Sequence, residues 1–217
     1  NAYVSRPKGF RVQEQPILIL SSWSSGANLV NGFLGECGAF LCPPFSKATD
    51  GVSNTHESFY YRGILAATID EESLEFKADA TIFKNGFQDW YKKQLPDGKA
   101  AGGSRISLAH PLSAFLLHEI SQVVSPTFVV LTRPFYQIES TRNTMNAHEN
   151  LGRVGAQKIY DQIFSYLTDN SKSYLSISFE DFMKSSETRL KLLDYCDLDV
   201  SDFQAEEAFT KITTKSK

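Results

Sequence analysis

Pro16-Ile17-Leu18-Ile19-Leu20, then Ser21-Ser22-Trp23-Ser24-Ser25-Gly26-Ala27-Asn28, then Leu29, Val30, Phe33 and Leu34: this stretch decides the fold. Four apolar residues in a row, without alternation, suit a central parallel strand covered on both faces. The later apolar spacing of one, three and four is that of a helix face. A polar loop joins the two, so the reading is strand, loop, helix. Working outward, Thr127 to Thr132 forms a second buried strand, ended by Arg133-Pro134, and Tyr174 to Phe179 a third. Helical patterns occupy Glu57 to Ile69, Thr81 to Leu95, a segment opening at Pro111, Gln137 to Asn146 and Gly152 to Leu167, with a closing helix at Glu187 to Tyr195. Pro96-Asp97-Gly98 reads as the turn that ends the second of these helices. Strands separated by helices imply parallel pairing with right-handed crossovers, hence a three-layer α/β domain with a central parallel sheet.

The 217 residues, 41% hydrophobic and 22% charged, suffice for one domain, residues 1–217, with 1–15 as a polar N-terminal arm. A net charge of −3 gives no global positive field, so nucleic acid is not an expected partner and any anion site must be local. The longest apolar runs fall far short of the about 20 residues of a membrane helix. Cys37, Cys42 and Cys196 form no C-x-x-C and meet no His at metal-ligand spacing, which points away from a zinc site and toward a reducing compartment. The opening residues lack the apolar core of a signal peptide, so the expected location is cytoplasmic.

The chemistry centres on the loop after the first strand. Successive backbone N–H groups and the positive end of a following helix make an anion cradle without side-chain charge. The spacing of the phosphate-loop signature G-x-x-x-x-G-K-[ST] lies over Ser21 to Asn28, with Gly26 as its second glycine. Ser21, Ala27 and Asn28 stand where Gly, Lys and a hydroxyl residue belong, which disfavours a Mg²⁺-dependent kinase. An ordinary strand-to-helix turn capped by Ser25 or Asn28 is the plain alternative. The segment from Gly38 to Ser58, with Pro43-Pro44, reads as a long loop, and such loops are often functional.

The order of these parts resembles the P-loop-like sulfotransferases that use 3′-phosphoadenosine 5′-phosphosulfate (PAPS). Trp23-Ser24-Ser25-Gly26-Ala27-Asn28-Leu29 lies over the family's P-[RK]-S-G-T-[ST]-hydrophobic loop, and Ser25, Gly26 and Leu29 match it. Arg133, Pro134 and Ser140 resemble its strand-ending Arg, nearby Pro and later Ser. Asn54-Thr55-His56-Glu57-Ser58, Ala109-His110-Pro111, Leu151-Gly152-Arg153-Val154-Gly155-Ala156 and Ile177-Ser178-Phe179-Glu180-Asp181 resemble further elements, roughly from Ile17 to Leu198. The resemblance implies PAPS as sulfuryl donor, 3′-phosphoadenosine 5′-phosphate (PAP) as product, no metal, and a small-molecule or glycan acceptor with a hydroxyl or amine.

It also implies the site: Ser22, Trp23, Ser24, Ser25, Gly26, Ala27 and Asn28 around the 5′-phosphosulfate, Arg133 and Ser140 on the 3′-phosphate, and Arg153 among the donor-binding residues. An ion pair with Glu139 is the alternative use of Arg133. Glu57, His56 and His110 are the candidate bases, against structural uses of Glu57 as a first-turn acid and His110 as a satisfied histidine. Ser24 and Ala109 stand where the family carries cations. Arg105, or else Lys84 or Arg153, is expected to supply the missing charge, unless Arg105 is a solvated surface residue. A chain with those cations lost and only nucleotide or partner recognition retained is the rival reading.

Overall fold

A computed structural model describes residues 15–47, 54–103 and 105–214, so the arm up to residue 14 lies outside the described residues. Its centre is a parallel sheet of β1 (Ile17–Leu20), β4 (Ser107–Ala109), β5 (Thr127–Thr132) and β6 (Tyr174–Ser178), in the order β4-β1-β5-β6. Alternate residues of the strands feed two cores. Leu18, Leu20, Phe128 and Val130 face one side. On it pack α2 (Phe59–Thr68), α3 (Ala80–Ala100), α4 (Leu117–Val123), α5 (Phe135–Met145) and α6 (Arg153–Asp169). Ile17, Ile19, Val129 and Leu131 face the other, which α1 (Ala27–Glu36), α7 (Phe179–Lys184), α8 (Ser186–Tyr195) and α9 (Asp202–Thr214) cover. This is the expected three-layer arrangement. Burying both faces of β1 and β5 explains why their sequences are continuously apolar.

Several elements differ from the sequence reading. The long loop contains a hairpin of β2 (Phe45–Lys47) and β3 (Asn54–Ser58), whose connection, 48–53, is outside the described residues. β4 joins the sheet beside β1 although no apolar run marks it. Pro96 does not end α3. It leaves the carbonyl four residues back, on Lys92, without its helical donor, but Lys92 is exposed and water can serve it. Pro111 opens a 3-10 turn rather than an α-helix, and Phe179 begins α7 because Ser178 caps that helix through its hydroxyl, 3.0 Å from the Asp181 N–H. The chain also continues past the expected last helix into α9.

The three cysteines are buried, free thiols, and burial pushes those of Cys37 and Cys196 up to about 12. No helix among the described residues is long and apolar enough to cross a membrane.

Candidate functional site

The carboxyl ends of the four strands bring together the loop Ser21–Gly26, His110, Arg133 and Phe179. In open α/β sheets ligands bind at this edge, where the strand order reverses about the first strand. The loop is held from within by the Ser25 hydroxyl, which donates to the Ser22 carbonyl. Ser24 and Gly26 both take left-handed backbone conformations, φ 58° and 89°. At Gly26 the close approach of Phe179 leaves no room for a side chain: a Cβ would lie 2.2 Å from its ring. No side chain caps α1; the Leu29 N–H turns back to the Gly26 carbonyl at 3.1 Å, and the N–H groups of Ala27 and Asn28 are left to whatever the loop binds.

Arg133 reaches this loop. Its Nη1 donates to the Ser24 carbonyl at 2.7 Å, its Nε to the Gln137 side chain at 3.0 Å, and its guanidinium lies 5.7 Å from the centre of the Phe179 ring. Glu139 is not its partner, because that carboxylate is taken by Arg142 and by the Arg153 backbone N–H at 2.8 Å. Beyond Arg133, Ser140 and Arg153 line one surface pocket of about 490 Å³ with Phe135 and Glu139. A Cβ on Gly155 would overlap the Asn150 backbone, so a glycine there lets α6 start close under this pocket.

Trp23 turns back onto the core and packs edge-on against His110, ring centres 6.2 Å apart. Tyr160 runs under the loop: its hydroxyl donates to the Leu131 carbonyl at 2.5 Å. Burial raises its phenol, while Ser22 and Ser25 act the other way. Ala27 points into the core on the α1 side, where the lysine of a phosphate loop would be out of place.

Glu57 lies across the mouth. With its amide nitrogen turned that way, Asn28 donates to Glu57 Oε1 and to the Thr55 carbonyl, each at 3.2 Å. Burial lifts the Glu57 carboxyl to about 7; Arg62 opposes that rise and Glu71 adds to it. A carboxyl poised near neutrality is what general base catalysis at neutral pH favours.

The other proposed residues part company with it. His56 turns away: its ring lies under Gly32 of α1 and edge-on to Phe45 at 6.1 Å, and its carbonyl accepts from Asn31 at 2.6 Å. His110 is near the loop but fully used. Its Nδ1 accepts from the Leu112 N–H at 3.2 Å, and burial pushes the imidazole down to about 3 despite Glu71 at 3.7 Å. That makes it a neutral structural histidine and a poor base.

Arg105 corrects the expectation most. It lies at the opposite, amino end of the sheet, neither solvated nor near the loop. Its guanidinium is buried and bonds the carbonyls of Gln15 and Cys196 (2.9 and 2.8 Å) and the Thr127 hydroxyl (2.6 Å). Position 109 cannot present a cation either, because Ala109 is buried in the core on the α1 side.

Sequence reasoning missed Arg62. It binds Glu71 through two parallel hydrogen bonds, 2.8 and 2.9 Å, and its charge acts on both Glu57 and His110. No motif carries that pair, whose members lie on either side of the α2 C-terminus.

No protein-family model matches the chain, and no curated protein does. A solved structure does match: the sulfotransferase domain from the Synechococcus PCC 7002 olefin synthase, with a TM-score of 0.53. The match covers 94% of this chain and 79% of that one at 18% identity. At that identity the likeness is one of fold. The chain is an α/β domain with a sulfotransferase-type fold.

Proposed function

We propose that the protein is a sulfotransferase that moves a sulfuryl group from PAPS to a hydroxyl or amine of a small-molecule or glycan acceptor. The observation that carries this reading is the convergence of Arg133 on the Ser24–Gly26 loop, 2.7 Å from its backbone, at the sheet edge where the fold binds ligands. The residues fit an adenylated donor. The uncapped start of α1 and the loop amides suit the 5′-phosphosulfate, and the guanidinium of Arg133, anchored through Nε and Nη1 with Nη2 left over, suits the 3′-phosphate together with Ser140 and Arg153 farther along α5 and α6.

Sulfuryl transfer passes through a loose in-line transition state, as phosphoryl transfer does, so positioning and relief of charge dominate. The donor supplies the activated sulfur. Glu57, ionised, takes the proton of the acceptor hydroxyl as the new O–S bond forms and the bond to the 5′-phosphate oxygen breaks.

Titration with PAP tests the reading. Binding is expected, and Arg133→Ala should weaken it about ten- to one-hundred-fold, the loss of a charge-assisted hydrogen bond. Absence of heat at millimolar PAP, or unchanged binding in the variant, refutes the site. Transfer of label from ³⁵S-PAPS to a panel of phenols, amines and glycans then separates an enzyme from a domain that only binds. Binding without transfer favours the second, and the absence of a cation at Ser24 is what would explain it.

A further inference from the structure

We propose that Arg62, clamped by Glu71, is a positioning residue for Glu57: its guanidinium reaches across the first turn of α2 and holds that carboxyl toward the loop end of α1. The proposal rests on reading Glu57 as the base of the sulfuryl transfer. Ser58 is the N-cap of α2, its hydroxyl accepting from the Tyr61 N–H at 3.4 Å. Glu57 therefore occupies the position before the cap and Arg62 the fourth in the helix, the two places whose side chains meet across a helix start.

Arg62 is not free to swing away, because Glu71 takes its Nε and Nη2 in a two-pronged pair at 2.8 and 2.9 Å. Glu71 is fixed in turn. His110 Nδ1 accepts a backbone N–H, so the proton of the neutral ring sits on Nε2, facing Glu71 Oε1 at 3.7 Å. The ring of His110 packs on Trp23 of the loop itself. On its far side, Glu57 meets the Asn28 amide at 3.2 Å.

Contacts thus run from the loop through His110 and Glu71 to Arg62, and from Asn28 to Glu57; between Arg62 and Glu57, the two positions that flank the helix start, the link is the charge of the guanidinium. The charges acting on Glu57 are Arg62 and Glu71. Lys77 acts on Glu71, and His110 carries none near neutrality. One cation shared between two carboxylates gives each a different character. Glu71, hydrogen-bonded to Arg62, stays ionised, whereas Glu57 receives only part of the guanidinium's field.

The test is a ¹³C NMR titration of the Glu57 carboxyl carbon in the full chain, which needs neither donor nor activity. Arg62→Gln should move its midpoint up by about one unit, because an opposite charge is removed. Glu71→Gln should move it down, because a like charge goes and the guanidinium is released toward Glu57. Arg62→Lys should restore part of the wild-type value without the two-pronged pair. Coincident midpoints in the wild type and in folded Arg62→Gln and Glu71→Gln overturn the proposal; midpoints that move in the same direction do so as well. PAP titrations on the same samples keep the two readings apart. Shifted midpoints in a protein that never binds PAP would uphold the positioning of Glu57 and sink the sulfotransferase, and the converse pair would do the reverse.

Discussion

Glu57 combines a neutral-range carboxyl with a place beside the first turn of α1, and its two consequences run in opposite directions with pH. As a base it must be ionised, so transfer should rise with pH through about 7. Glu57→Gln should lose about 10² to 10⁴ in turnover and flatten that limb, read from a pH–rate profile. For stability, a carboxyl whose value is raised on folding contributes fully below the ordinary 4.5 and loses that contribution as pH climbs through about 7. Glu57→Gln should therefore raise the melting temperature at pH 8 by about 2 to 4 °C, the effect of about 1 kcal/mol in a domain of this size, and should leave it nearly unchanged at pH 4. Gly26 is the second decisive residue. Gly26→Ala drives a Cβ to 2.2 Å from Phe179 at a φ of 89°, which should cost about 2 kcal/mol or more in urea unfolding and abolish PAP binding in the same variant.

Among the elements, the sheet has two ends with different work. The carboxyl end gathers the loop, Arg133 and Glu57, whereas the amino end is pinned by Arg105, whose donors serve Gln15, Cys196 and Thr127. Arg105→Ala would strand two buried carbonyls. A loss of about 2 to 4 kcal/mol in denaturant unfolding is expected, with the PAP dissociation constant unchanged once the variant is folded. A weakened constant in a folded variant would return Arg105 to its expected place as the cation that supplies the missing loop charge. The hairpin β2–β3 has its own part: by delivering His56 and Glu57 on successive positions it sends one under α1 and the other to the loop. Two residues that look equivalent as candidate bases are thus separated at an irregularity in the strand, where His56 takes a left-handed conformation, φ 54°, and the pairing register shifts.

At the scale of the whole molecule, a ligand that grips both the loop and Arg133 ties β1, β5 and β6 together through Phe179 and should stabilise the fold as a unit. PAP at one hundred times its dissociation constant corresponds to about 2.7 kcal/mol, or about 5 to 10 °C in a thermal-shift assay. Mg²⁺-ATP in place of PAP should give no such rise, and a larger response to it would favour the kinase reading.

What could be read ahead of the structure follows from distance along the chain. β1, its loop and α1 were legible because their signal is local: Ile17 to Leu20 is apolar throughout and the apolar spacing of α1 is helical. β5 was legible for the same reason, and Arg133 followed as the residue that ends it. β4 was not, since Ser107-Leu108-Ala109 is three residues long and becomes a strand only by pairing with β1. Pro96 misled because its cost depends on whether the stranded carbonyl meets water, which α3 decides by the face it exposes.

The sequence by itself determined the alternation of buried strands and amphipathic helices, the α/β class, and the loop and arginine at two strand ends, because hydrophobic periodicity is written in adjacent residues. Only the tertiary structure decided which polar groups meet. Arg105 lies ninety positions from the Gln15 carbonyl it serves, and Arg62 finds Glu71 beyond the far end of its own helix. Those partnerships depend on strand order and helix packing, so the same arginine can be read as a site cation or a structural pin until the fold brings its neighbours to it.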